Sequence, residues 1–331
     1  KNKVVTLQMI ESATLPGEQR TRAERFFMAT TLTNNYKHRT LSLEEIVEML
    51  KCRGLTIHDE CKAIAFLSDV SYFRLASYLR PFESDKHTHQ YKDYASFEKA
   101  VELYHFDNAL REIVFKAIQH IEVSLRTRMI QEFSEESDPF WFFDESQCAS
   151  KRNYLDNMAH IERELTRSKE DFIKEHFRKY GNDCYPPAWK TLEIITFGCL
   201  SKLYGNYIST KAKKRIARSY GVPQHEILES WIKTFNAIRN ACAHHARLWN
   251  AIMAQTPMLP SRMRNKWINN SKIDGFRIYA ALSCLVYWLN AIRPENTFVK
   301  DFKRILSDSP NVDIAAMGFP ADWRNEPLWS D

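Results

Sequence analysis

From Ser96 to Glu135 the chain runs forty residues without a glycine or a proline. Leu103, Phe106, Leu110, Ile113, Ile118, Ile121 and Leu125 recur through it, mostly at three- and four-residue steps. That is the period of an α-helix with one apolar face, with neither of the residues that break helices in the way. The pattern fits one long helix or two joined by a short break.

The flanks read the same way. SLEE at Ser42 offers a hydroxyl cap with Glu45 three residues on, so a helix is expected from there to Gly54. A second is expected from about His58, carried on through SYFRLASYLRPF until Pro81 ends it. Residues 83–95 are polar and turn-like, a short strand or a loop. Helices are then predicted over about 147–180, closed by Gly181, and over AWKTLEIITFGCLSKLY, KAKKRIARSYG, HEILESWIKTFNAIRNACAHHARLWN and FRIYAALSCLVYWLNAI. Beyond Phe298 one short helix and turns are expected. The fold class is all-α, without internal repeats. Eight glycines in 331 residues argue against a loop-rich all-β protein and against a glycine-rich nucleotide cradle.

The seven cysteines, scattered with no CxxC pair, suggest neither a disulfide framework nor a zinc ribbon and read as reduced thiols of a cytoplasmic protein. No apolar run approaches a membrane span, and the polar start lacks a signal-peptide core, so no membrane partner is expected. A net charge of +6 permits a polyanionic partner without demanding one.

Chemistry concentrates in RNACAHHARLWN, Arg239 to Asn250. Read as helix, it stacks Asn240 under His244 at i, i+4 and turns Arg239 about 140° away from His244. A zinc helix wants histidines four apart with a carboxylate nearby. Here they are adjacent, with no acid between Arg239 and Asn250, which argues against a metal. Cys242 has no histidine at a spacing that stacks, so it reads as core. Phosphodiester chemistry fits better. Cleaving RNA through its own 2′-hydroxyl needs a base, an acid and a cation for the phosphorane. Histidine supplies either proton transfer and arginine a fork of donors, with no cofactor. Asn240 can fix the tautomer of His244. Spacing alone leaves equally open that Arg239 and His244 are satisfied structural residues at a helix crossing.

Basic residues elsewhere are candidate RNA contacts. KAKKRIAR sets Lys211, Lys213, Lys214, Arg215 and Arg218 on one short helix, where a solvated face is the plainer reading for any single residue. Arg262, Arg264 and Lys266 form a weaker cluster. Arg126 either pairs with Glu122 at i, i+4 or lines the groove. Trp231, Phe235 and Trp249 sit at core spacings. Tyr72 and Arg74 suggest only packing.

RNACAHHARLWN resembles the signature of the Abi_2 (AbiD/AbiF) abortive-infection family, a branch of the HEPN superfamily. KCRGLTIHDECKAIAFLSDVSYFRLASYLRPF, FEKAVELYHFDNALREIVFKAIQHIEVSLRTRM, PPAWKTLEIITFGCLSKLYGN and AMGFPADWRNEPLW resemble the same family, in order, over about residues 42–329. The resemblance implies a HEPN-type helical bundle with extra N-terminal helices and a C-terminal extension. It divides into an arm (1–40), an N-terminal helical region (41–95), a core (96–297) and a tail (298–331). It also implies a metal-independent endoribonuclease of phage defence, toxin-like and associated with a restraining small non-coding RNA. Arg239 and His244 would be the catalytic pair, His245 the alternative or assisting histidine and Asn240 the polar residue within the motif. Because Arg239 and His244 diverge on an ideal helix and only one such motif is present, a homodimer with facing motif helices is expected. The rival reading is a catalytically silent RNA-binding module.

Overall fold

The computed structural model describes residues 40–85, 87–182, 184–269 and 272–330. The arm expected over residues 1–40 falls, but for its last residue, outside them. Helix α1 (Leu43–Cys52) opens on the capping box its sequence announces. Ser42 Oγ accepts from Glu45 N at 3.2 Å, and Glu45 Oε2 accepts from Ser42 N at 2.8 Å. Gly54, just beyond its end, adopts φ +85°, a left-handed position suited to a residue without Cβ.

Where the sequence suggested continuous helices, small hydroxyl residues divide them. α2 (Glu60–Asp69) and α3 (Tyr72–Leu79) are separate because Ser71 Oγ accepts from Arg74 N at 3.4 Å and starts a new helix. The stretch 147–180 becomes α5 (Lys151–Arg167) and α6 (Asp171–Tyr180). Ser168 leaves helical geometry and takes the N–H of Glu170 at 3.3 Å, a local bond that competes with the helix. AWKTLEIITFGCLSKLY likewise splits into α7 (Ala188–Ile194) and α8 (Phe197–Asn206), with Thr196 Oγ1 accepting from Cys199 N at 3.3 Å. Residues 83–95 hold a two-stranded antiparallel hairpin, β1 (Glu83–Asp85) and β2 (Gln90–Tyr91).

The forty-residue run is one unbroken helix, α4 (Phe97–Glu136). At 1.5 Å per residue it spans about 60 Å. α3, α7, α9 (Thr210–Ser219), α10 (His225–Ala243), α11 (Ile278–Ile292) and α12 (Phe298–Ser307) all pack along it. Its buried stripe runs Leu103, Phe106, Leu110, Val114, Ile118, Ile121, Leu125, Met129, Phe133. Every residue of α11 from Ile278 to Leu289 is buried, so that helix is enclosed on all sides. The tail closes over it: Phe302, Phe319, Trp323 and Trp329 pack ring against ring, Tyr279 joins them, and Trp329 Nε1 donates to Ser283 Oγ at 3.2 Å. Buried side chains from Val47 to Trp329 form one contiguous cluster. Among the described residues no helix is long and apolar enough to cross a membrane.

Candidate functional site

The motif helix stops earlier than its sequence suggests. α10 ends at Ala243, His244 is its C-cap, and residues 244–250 form a turn rather than a further helical turn. His245 N donates to Cys242 O at 3.1 Å and Ala246 N to Ala241 O at 2.8 Å. Those two bonds, with His245 at φ +55°, make a Schellman ending in which histidine occupies the place usually given to glycine. Histidine is among the few side chains that visit this left-handed region, although at a cost. His244 N still donates to Asn240 O at 3.0 Å, so the expected i, i+4 relation survives in the backbone. The side-chain contact expected between Asn240 and His244 is replaced by a long one to Arg239, whose Nη1 lies 3.5 Å from Asn240 Oδ1.

Both imidazoles are exposed while the backbone beneath them is fixed from two sides. From α4, the fully buried Asp107 accepts from Leu248 N at 3.1 Å and from Trp249 N at 2.6 Å. The same carboxylate takes the Tyr78 hydroxyl at 2.6 Å and pairs with the buried Arg111. Burial pushes the Asp107 carboxyl up, and these four donors hold its anion against that cost. Arg111 Nη1 also reaches Ala246 O at 3.4 Å. From α3, Arg74 Nη1 donates to His245 O at 2.8 Å, while Arg247 returns a bond to Ser77 O at 2.5 Å. A strained residue persists where its surroundings over-determine it, and here three arginines and an aspartate do so.

The turn separates two open depressions. One, of about 430 Å³, is bordered by Phe73, Arg74, Ser77, His244, His245 and Arg247. The other, of about 460 Å³, is bordered by Tyr104, Asn108, Phe115, Cys242 and His245. Arg239 stacks its guanidinium over the Phe115 ring at 5.8 Å, on the side of the second depression. His244 borders only the first. The two histidines are therefore brought together on one turn, and Arg239 lies towards the depression that His245 borders and His244 does not. Burial pushes the Cys242 thiol up to about 12, which favours the protonated thiol near neutrality. Among the described residues no three His, Cys, Asp or Glu side chains converge as a metal site would require.

The remaining candidates divide by exposure. Arg126 is buried, with Nη2 on Glu122 at 2.9 Å and on Ile195 O at 3.2 Å. Lys213 is buried beneath the Tyr204 ring and donates to Gly205 O at 3.3 Å. Arg215 pairs with Glu132 and, at 3.0 Å, with Glu136. Lys211, Lys214 and Arg218 face solvent. Trp231, Phe235 and Trp249 are buried, as their spacing indicates, although Trp249 lies past the end of the helix. Arg74 does more than pack between helices, since it grips the motif turn.

Asp107, Arg111 and Tyr78 lie far from the motif in the chain, and its residues do not point to them. A readable signal existed. Asp107 falls four residues after Leu103 and Arg111 four after that, so a charged pair occupies the apolar stripe of α4. Charges are almost never found at such positions without a partner.

A family model described as Abi-like protein matches residues 65–250, more than half of the chain, from within α2 to the last residue of the motif. No curated protein and no solved structure matches.

Proposed function

The chain belongs to the Abi-like family, and from that premise we propose that it is a metal-independent endoribonuclease of phage defence working at the His244–His245 turn. The observation that carries this reading is the pair of exposed imidazoles on a turn whose backbone is anchored by Asp107, Arg74 and Arg111. Structural histidines are ordinarily satisfied by buried partners. Here the anchoring lies under the turn and leaves the rings free for solvent and substrate.

One imidazole takes the proton of the RNA 2′-hydroxyl as its oxygen attacks the adjacent phosphorus. The other, protonated, gives its proton to the departing 5′-oxygen. The products are a 2′,3′-cyclic phosphate and a 5′-hydroxyl, so no external nucleophile and no metal-bound water is needed. Arginine stabilises the charge that grows on the phosphorane.

Arg239 stands over Phe115, which borders the depression that His245 lines and His244 does not. The cation for one active centre is therefore proposed to come from a second copy of the chain, in a two-fold dimer with facing motif turns. Specific activity should fall on dilution below the dimer's dissociation constant, and a monomer cleaving at full specific activity removes this part of the reading. A restraining small RNA belongs to the same proposal.

The deciding experiment is cleavage of cellular RNA by purified protein with EDTA present, followed by analysis of the ends. Persisting cleavage with cyclic-phosphate ends, abolished in His244→Ala, supports the enzyme. A strict need for Mg²⁺ or the appearance of 5′-phosphate ends overturns the mechanism. RNA binding without turnover in the wild-type protein leaves the silent binding module.

A further inference from the structure

Phe73 projects from α3 into the depression beside His244 and His245, and it is 83% exposed. The neighbouring rows of α3 explain why it stands there. Leu75, Tyr78 and Leu79 turn inward, so Phe73, Arg74 and Ser77 are left on the face towards the motif turn. Burying a phenylalanine is favourable, and the fold forgoes that gain at this position. Its ring is nevertheless held, edge-on to Tyr72 with centroids 5.8 Å apart. Tyr72 in turn takes a bond from Arg53 at 3.3 Å.

The charge around that ring is one-sided. Arg74, Arg247, His244 and His245 border the depression and no carboxylate does. Among the described residues Arg74 has no acidic partner, and its one hydrogen bond leaves other guanidinium donors available. A volume of about 430 Å³ lies within the range of small-ligand sites, roughly 300–1,000 Å³. An aromatic face beside cationic forks and two imidazoles, with no acid to repel a phosphate, matches an unpaired nucleotide. Its base has a π-face for the ring and its phosphate suits Arg74.

We propose that Phe73 stacks an unpaired base of the RNA next to the bond being cut while Arg74 holds the adjoining phosphate, so that α3 makes this a site for single-stranded RNA. A base inside a duplex has both faces covered and offers none to Phe73. The inference rests on the ribonuclease reading for its substrate, and it assigns to SYFR the selection of unpaired RNA.

The test uses His244→Ala protein, so that RNA is bound and not cut. Fluorescence anisotropy compares a short labelled single strand, the same strand annealed to its complement, and strands carrying one abasic position each. Adding Phe73→Ala should weaken single-strand binding roughly ten-fold, within the range for one base on one ring. Duplex binding should stay as it was. Phe73→Trp should restore the lost affinity and Phe73→Leu should not, since leucine is apolar but has no face to stack. One abasic strand should lose as much in the parent protein and nothing further in Phe73→Ala. Single-strand affinity unchanged in Phe73→Ala, equal loss on duplex, or full rescue by leucine each overturns the proposal. So does a fall in molar mass of the RNA-free protein with unchanged RNA affinity, because Phe73 would then be a contact between copies. If His244→Ala protein binds none of the strands the proposal is lost as well. Wild-type cleavage with metal-independent ends, measured separately, keeps the ribonuclease reading standing when only the stacking fails.

Discussion

Replacing His245 by glycine and, separately, by alanine would separate the geometry of the turn from its chemistry. Both substitutions remove the imidazole, and both remove little packing because that side chain is exposed. They differ in how they tolerate φ +55°. An L residue in the left-handed region costs roughly 1–2 kcal/mol, whereas glycine enters it freely but gives up about 0.5–1 kcal/mol of chain entropy on folding. The glycine variant should therefore be the more stable of the two by about 1 kcal/mol, and slightly more stable than the parent, since histidine bears part of the same cost. For the roughly 290 residues described this amounts to a difference in Tm of about 2 °C. Urea unfolding followed by intrinsic tryptophan fluorescence measures it, with equal slopes expected because the surface exposed on unfolding is the same. Both variants should lose RNA cleavage if the imidazole works in the reaction. Alanine equal to or more stable than glycine would refute the claim that the motif turn stores strain. Undiminished cleavage in both would reduce His245 to a turn former and leave the chemistry to His244.

Asp107→Asn should destabilise the fold by about 3–5 kcal/mol, because Arg111 is left as a buried charge without its counter-ion. Combined with Arg111→Met, the loss should be smaller than the two single losses added, and strict additivity in that cycle would show that the pair is not coupled. Neutralising Lys211, Lys214 and Arg218 together should weaken RNA binding and flatten its dependence on salt, whereas Lys213→Gln and Arg215→Gln should act mainly on thermal stability. An unchanged salt slope in the triple variant moves the RNA path off α9. Cys242→Ser should leave the cleavage rate unchanged, since burial pushes the thiol up to about 12, and should cost about 1–3 kcal/mol for a buried hydroxyl. A rate lower by orders of magnitude would restore the cysteine as a reactive group.

Most of the helical plan was legible because it is local. Apolar spacing from Leu103 to Leu125, the Ser42 cap and Gly181 each act within a few residues, and each sits in the structure where the sequence set it. The divisions at Ser71, Ser168 and Thr196 were readable in principle, since a hydroxyl at such a position competes with the helix for backbone bonds. What the sequence determined about the site was its inventory: two adjacent histidines, Arg239 and Asn240, with no acid among them. What only tertiary structure decided was how that inventory is presented. Helical period alone carries α10 through Trp249; the chain instead leaves the helix at His244, because Asp107 takes the N–H groups of Leu248 and Trp249 from 141 and 142 residues away. Arg74 reaches the same turn across 171 positions. The basic helix is sorted by the same cause, with Arg215 claimed by Glu132 and Glu136 while Lys214 faces water. Periodicity records which face of a helix is buried. Which distant donor or acceptor meets a given backbone group depends on how whole helices lie against one another, and in this chain that packing sets the turn on which His244 and His245 stand.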